Sequence, residues 1–415
     1  ACPVCPVCVP APPGVFLPGT AHPTQPSLDR TCKNRRSDMP ARAWILACHL
    51  SHLVSALVGF GAPDRALLRP AMTETTADVA SSEAVFADYL ANELANAPGA
   101  DRYPEVFVDA QQCILTWRRR YASTPMLWRR LYRAEKVLKE LIESAPVIAA
   151  VRDVVAEAKL APGERFTIVD LCSGKGFLSM FLSDMLSPSK VERCFLIDRA
   201  WPPHDWEGPI GPAHISDAHI YQERLPAGVE AVNYFEQWPV PLHTSKRDLK
   251  NKATLRTLDA QLFARCSGPV LVLGVHLCGT LALRAVDIFN GAPSRCRLLV
   301  LKPCCLPPML HMKRDETFHI GQHSFPAVDV CAPGTFKARR GGWEGPPRAD
   351  LRPRFERWAE HLCAGVELGS AGGAKAVHFS EVQVRGGYQN TFVIAERGGE
   401  TRRLWERVRE EERRK

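Results

Sequence analysis

The stretch Phe166-Thr167-Ile168-Val169-Asp170-Leu171-Cys172-Ser173-Gly174-Lys175-Gly176-Phe177 decides the fold. Its first half is a short, mostly apolar run rich in β-branched and aromatic residues, the composition of a buried strand. Gly174 and Gly176 then make a tight turn, and Phe177, Leu178, Phe181, Leu182 and Met185 open a helix at amphipathic spacing. Glycine belongs in such a turn because the backbone must approach a ligand with no side chain intervening. A Gly-x-Gly pair alone is common. Here it sits between strand and helix, and Asp198 closes the next strand at about the twenty-residue distance at which a carboxylate meets a ribose in open α/β sheets.

Downstream, short apolar runs alternate with amphipathic stretches, the pattern of a parallel sheet covered on both faces. Strands are expected at Phe166–Leu171, Cys194–Asp198, Val240–Thr244, Val270–Val275 and Leu298–Lys302, with a closing antiparallel hairpin at Val377–Arg385 and Thr391–Ala395. Pro241 cannot donate to a ladder, which makes the third strand the least regular. Five parallel strands and a hairpin give a doubly wound, seven-stranded, Rossmann-like α/β sheet. That count matches a class I methyltransferase domain and not a dinucleotide dehydrogenase.

The chain has 415 residues, room for two domains at roughly 100–200 residues each. Four regions are expected: 1–80, disordered or a targeting extension; 81–160, helical; 161–397, the α/β domain; and 398–415, a charged tail. Cys2, Cys5 and Cys8 lack a second ligand pair at a credible distance for zinc. Arg42 followed by the mostly apolar Ala43 to Phe60 has the order of a targeting peptide, too short and polar to span a membrane. The fifteen cysteines are irregularly spaced, and several, such as Cys113, Cys194, Cys266 and Cys363, stand alone in apolar runs. Such cysteines act as small hydrophobes and imply a reducing compartment, cytoplasmic or nuclear, with an organelle as the alternative.

Within 81–160, Ser123-Thr124-Pro125 reads as a helix start, with Trp128, Leu131, Leu138 and Ile142 as the buried seam. The other face of a basic helix over 117–139 carries Arg118, Arg119, Arg120, Arg129, Arg130, Arg133, Lys136 and Lys139, interleaved with Trp117 and Tyr121. That composition suits either a solvated face or an RNA-contacting surface, and the net charge of +8 is compatible with both. A second helix is expected from Ala145 to Lys159, with a domain boundary at Pro162-Gly163.

S-Adenosylmethionine suits the loop better than a dinucleotide. It carries no pyrophosphate, so its site needs acceptors for ribose hydroxyls, an adenine amine and an ammonium. Acidic residues at successive strand ends supply them: Asp198 for the ribose, Asp248 for the adenine, with Glu223 as a competing residue, and Asp170 for the loop and the ammonium. Cys172, Ser173, Gly174 and Gly176 line the loop itself. The alternative for these aspartates is a helix cap or turn.

Ligands of open α/β sheets bind outside the carboxyl ends of the strands, where the fourth strand ends in His276-Leu277-Cys278-Gly279 and the fifth in Lys302-Pro303-Cys304-Cys305. His276 is either the base that takes the acceptor's proton, close to the cofactor, or a histidine that fixes the turn. Lys302 is either a partner for an oxyanion or substrate phosphate, or a strand-end charge. Cys278, Cys304 and Cys305 admit three readings: packing, a metal cluster with His276, or a thiolate that adds to a pyrimidine ring, with Cys305 the candidate.

Together, Asp-x-Cys-Ser-Gly-Lys-Gly-Phe at 170–177, His-x-Cys-Gly at 276–279 and Cys-Cys at 304–305 resemble a family of methyltransferases. The family includes a tRNA ribose 2′-O-methyltransferase and several methyltransferase-like proteins, and the resemblance runs from about Gly163 to Glu396. It implies S-adenosylmethionine as cofactor and methyl transfer as activity, with RNA, tRNA first, as the acceptor. The chain departs from the tRNA enzyme in having no recognisable Cys-His-His-Cys finger ahead of the domain and no histidine-rich stretch after the cysteine pair. The alternatives are a protein or small-molecule acceptor, or a non-catalytic module that binds RNA or protein on the same fold. The segment holding His319, His323, Cys331, Lys337, Arg339, Arg340, Gly341, Gly342 and Trp343 reads as a substrate lid or a solvent loop, with RNA contact expected at 337–343.

Overall fold

The computed structural model describes residues 76–415 except 204–213, 222–237, 338–341, 371, 380–389, 399–400 and 415. The expected targeting extension, the Cys2-Cys5-Cys8 group, Glu223 and the side chains of the basic loop at 337–343 lie outside the described residues. Glu74–Lys415 form one compact unit. Four helices come first: α1 (Thr76–Ala95), α2 (Pro104–Arg120), α3 (Pro125–Leu131) and α4 (Ala134–Glu157). Strands and helices then alternate as β1 (Phe166–Leu171), α5 (Phe177–Met185), β2 (Val191–Asp198), α6 (Ala218–Tyr221), β3 (Leu242–Lys246), α7 (Lys252–Gln261), β4 (Val270–Cys278), α8 (Leu281–Gly291) and β5 (Cys296–Cys305). Two short hairpins follow, β6 (Thr317–Ile320) with β7 (His323–Pro326) and β8 (Thr335–Lys337) with β9 (Gly342–Glu344). The chain closes with α9 (Arg352–Ala364), β10 (Gly372–His378), β11 (Thr391–Arg397) and α10 (Arg402–Arg413).

Seven strands form one sheet in the order β3-β2-β1-β4-β5-β11-β10. Each neighbouring pair from β3 to β5 is parallel, while β11 runs antiparallel to both β5 and β10. A reversed last strand inserted beside β5 is the class I methyltransferase arrangement, so the expected Rossmann-like fold is the observed one. The strand order reverses between β1 and β4, which places the ligand crevice outside their carboxyl ends.

Both sheet faces are covered, which is why all six residues of β1 are buried. Along β1, β5 and β11, Phe166, Ile168, Leu298, Val300, Phe392 and Ile394 join the core under α1, α2, α4, α5 and α10. Their alternates Val169, Leu171, Leu299, Leu301, Val393 and Ala395 join the core under α7, α8 and α9.

The expected helix through 123–142 is broken. α3 stops at Leu131, and Tyr132 and Arg133 are extended, with ψ of 101° and 115°. The break is set by packing: Trp128 stacks on Tyr132 at 4.7 Å, and Phe86 of α1 meets both rings edge-on. α4 then runs unbroken through Pro146, past the expected start at Ala145. A mid-helix proline costs about 3 kcal/mol, and here the buried stretch Val147, Ile148, Ala149, Ala150 and Val151 offsets it.

The basic helix over 117–139 is therefore three pieces, and Trp117 and Tyr121 are buried rather than offered to bases. Trp117 donates to Asp184 at 2.6 Å, Arg120 pairs with the same carboxylate and lies over Trp238, and Arg119 pairs with Glu83. The charged tail is docked. The Glu157 carboxylate accepts the Arg402 and Arg403 N–H groups at the start of α10, Arg407 bridges Asp153 and Glu105, and Leu404 and Val408 are buried. Among the described residues no helix is long and apolar enough to cross a membrane.

Candidate functional site

The loop after β1 is shaped by three positive φ angles, at Cys172 (+55°), Gly174 (+55°) and Gly176 (+80°). Gly176 opens α5, where its missing Cβ makes room for the Leu196 side chain. Ser173 N–H donates to Ile197 O at 3.2 Å, tying the loop to β2. Asp198 at the end of β2 completes the tie, since one carboxylate oxygen accepts the Gly174 N–H at 3.2 Å and the other the Ala200 N–H at 2.8 Å.

A buried wall supports the loop from behind. Trp201 donates to Ser173 Oγ at 3.1 Å, His219 Nε2–H donates to Lys175 O at 2.7 Å, and Tyr121 O–H donates to His219 O. Burial pushes the His219 imidazole down to about 4, so it is neutral and donates through a single tautomer. Trp201 and His219 carried no visible signal in the sequence, because their role depends on contacts with a loop far along the chain.

Asp170 is buried and accepts the Ser179 hydroxyl at 2.8 Å. Burial pushes its carboxyl up to about 7 from an ordinary 3.8, with the Ser179 bond opposing. The folded chain thus holds this proton more tightly than the unfolded chain. The stability it adds is complete below about 4 and is lost as pH rises to about 7. Asp170→Asn removes that loss, so its melting temperature relative to the parent should climb between those limits. A difference independent of pH would show that the carboxyl titrates normally. Burial, with Asp198 and Asp170 nearby, also pushes the Cys172 thiol up to about 12, which leaves it a neutral packing group. Asp248 lies exposed in the turn after β3, its side chain accepting the Lys250 N–H at 2.9 Å.

β4 and β5 extend beyond their expected ends and carry His276, Cys278, Lys302, Cys304 and Cys305 within the sheet margin. Gly274 pairs with Leu301 but Leu277 with Pro303, so β4 bulges at Val275-His276, a device that re-aims a side chain. α4 meets this edge with two acidic residues one turn apart. Glu140 Oε2 is 3.1 Å from His276 Nε2, and Glu143 Oε2 is 2.6 Å from Lys302 Nζ and 3.8 Å from His276 Nδ1. Lys139 Nζ binds the other Glu143 oxygen at 2.9 Å.

Burial works to raise both glutamates, but His276 and Lys139 at Glu140, and Lys302 and Lys139 at Glu143, outweigh it and hold both carboxyls below their ordinary value. Lys302 is 1% exposed and spent on Glu143. Of its two expected roles, a partner for an oxyanion or phosphate and a strand-end charge, the geometry resembles the second, with Lys302 as a buried counter-ion to Glu143. Glu140 and Glu143 had a faint sequence signal, acidic positions on the helix face that also carries the buried Leu141 and Ser144.

Cys278, Cys304 and Cys305 converge, with Sγ separations of 2.8 Å (278–304), 3.7 Å (278–305) and 3.8 Å (304–305). At the loop's edge, burial and the charges of Lys136, Arg130 and Arg133 lower the Lys175 ammonium below its ordinary value. The Glu140 carboxylate opposes these three cations at Lys175.

Two solved structures are similar to the chain at low identity. A selenomethionine-substituted CurJ carbon methyltransferase is 14% identical with a TM-score of 0.31, over 72% of this chain and 68% of that one. An O-methyltransferase family protein from Burkholderia thailandensis is 13% identical with a TM-score of 0.23, over 69% of this chain and 72% of that one. No family model and no curated protein matches the chain. The fold assignment rests on the strand order alone.

Proposed function

We propose that the chain is an S-adenosylmethionine-dependent methyltransferase with RNA, tRNA first, as its acceptor. The observation that carries the cofactor is Asp198 bonded to Gly174 at the switch point of a sheet with this topology. The residues present fit the group. A Cβ at Gly174 would meet nothing within 4 Å, so the loop leaves an open cradle on that side. Asp198 keeps lone pairs for ribose hydroxyls beyond the two it spends on amides.

The cofactor supplies a methyl group on a sulfonium, and the protein's share is alignment and removal of a proton. With Nε2–H donated to Glu140, Nδ1 is the nitrogen left to take a proton from a hydroxyl or amine, and Glu143 Oε2 at 3.8 Å from Nδ1 would stabilise the imidazolium that forms. The Lys136, Arg130, Arg133 and Lys175 group beside the loop supports a polyanionic acceptor over a protein.

Calorimetry tests the cofactor. The parent should bind S-adenosylmethionine, and Asp198→Ala should lose about 1.5–3 kcal/mol, the worth of hydrogen bonds to a charged group. No binding by the folded parent refutes the enzyme. Transfer of labelled methyl to total RNA, protein and metabolite fractions tests the acceptor, with His276→Ala as control. Label confined to protein or metabolites refutes RNA.

A further inference from the structure

We propose that Cys278, Cys304 and Cys305 form a three-thiolate zinc site whose fourth position is open at the carboxyl edge of the sheet. Ligands of a tetrahedral zinc at about 2.3 Å from each sulfur lie about 3.8 Å apart. The 3.7 Å and 3.8 Å separations to Cys305 already have that length. The Cys278–Cys304 separation of 2.8 Å is shorter, and Cys278 is exposed, which leaves its side chain room to swing outward.

The backbone presets the arrangement. Cys278 and Cys305 face each other in register across β4 and β5, and the Gly279 N–H donates to Cys305 O at 2.9 Å, clasping the two strand ends. Gly279 takes a φ of +56°, which lets the chain turn away immediately after its thiol. The donor set selects the ion, since three converging thiolates favour a soft or borderline-soft metal over magnesium or calcium. Zinc with three thiolates carries a net charge of −1; Lys250 acts on Cys278 with opposite charge, and Lys139 and Lys302, both already paired with Glu143, act on Cys304.

Among the described residues only these three offer ligand atoms that are all mutually close. His276 is held instead by Glu140 at 3.1 Å, so the site is narrower than a cluster that includes the histidine. Three protein ligands and an open position are the pattern of zinc sites that take water or a substrate heteroatom as the fourth ligand. The site stands independently of methyl transfer, and its test does not use activity.

The full chain, purified under reducing conditions with zinc and without chelator, should carry one zinc per chain by elemental mass spectrometry. Its cobalt-substituted form should show sulfur-to-metal charge-transfer absorption. Cys304→Ser and Cys278→Ser should each weaken zinc binding by at least about tenfold, the low end of what loss of a mere outer-shell partner costs. Cys363→Ser, on α9, should leave it unchanged. Circular dichroism confirms that each variant is folded, and the exposed Cys278 position keeps the test valid if Cys304→Ser does not fold. Absence of stoichiometric zinc in the parent, copper in its place, a Cys278–Cys304 disulfide, or full zinc retention in a folded Cys278→Ser would each overturn the proposal.

Discussion

Glu143→Ala should lower the unfolding free energy by about 3–5 kcal/mol, because it strands a buried ammonium. Lys302 is 1% exposed, and Glu143, itself 4% exposed, lies 2.6 Å from its Nζ. Burial already holds the Lys302 ammonium below its ordinary value, with Glu143 as the main opposing charge. The reverse change is gentler. Lys302→Met leaves Glu143 with Lys139 at 2.9 Å and fills the space with apolar atoms, so its cost should be less than about half as large. Urea unfolding of both variants measures the asymmetry, and equal losses would show that Lys139 does not sustain Glu143.

Gly176→Ala should cost about 2–5 kcal/mol, from two sources that add. A left-handed backbone costs an L-residue about 1–2 kcal/mol, and φ here is +80°. The new Cβ would also overlap Leu196 Cδ2, whose side chain is fully buried and can move only by disturbing its neighbours, for about 1–3 kcal/mol. Gly174→Ala has a φ of +55° and open space around the new Cβ, so only the backbone cost of about 1–2 kcal/mol applies. On the proposed function, the two variants part company in calorimetry. The added methyl of Gly174→Ala occupies the cradle and weakens cofactor binding beyond its effect on stability. If both variants melt alike, the Leu196 contact does not limit the loop.

The elements that positioned the site were readable because their signals are local. The run from Phe166 to Leu171 shows both the strand and its burial on two faces, and Gly174 and Gly176 announce backbone angles that other residues avoid. Helix boundaries were less readable. The stop at Leu131 depends on Phe86 packing against Trp128 and Tyr132, and the passage of α4 through Pro146 depends on the sheet beneath it. In both places tertiary contacts overrode local propensity, and the basic stretch lost its aromatic faces for the same reason.

The sequence by itself determined the glycine loop, the carboxylate at Asp198 and the cysteines at two strand ends, since strand period, glycine and short spacing are properties of neighbouring residues. Only the tertiary structure decided what those groups face. Glu140 lies 136 positions from His276, and Glu143 lies 159 from Lys302. Burial of the second pair makes Lys302 a counter-ion, while the packing of α4 on the sheet edge turns one His276 nitrogen to Glu140 and the pairing of β4 with β5 draws three thiols together. Charge pairing across such distances has no periodic trace along the chain, because it is set by which helix the sheet accepts on its face.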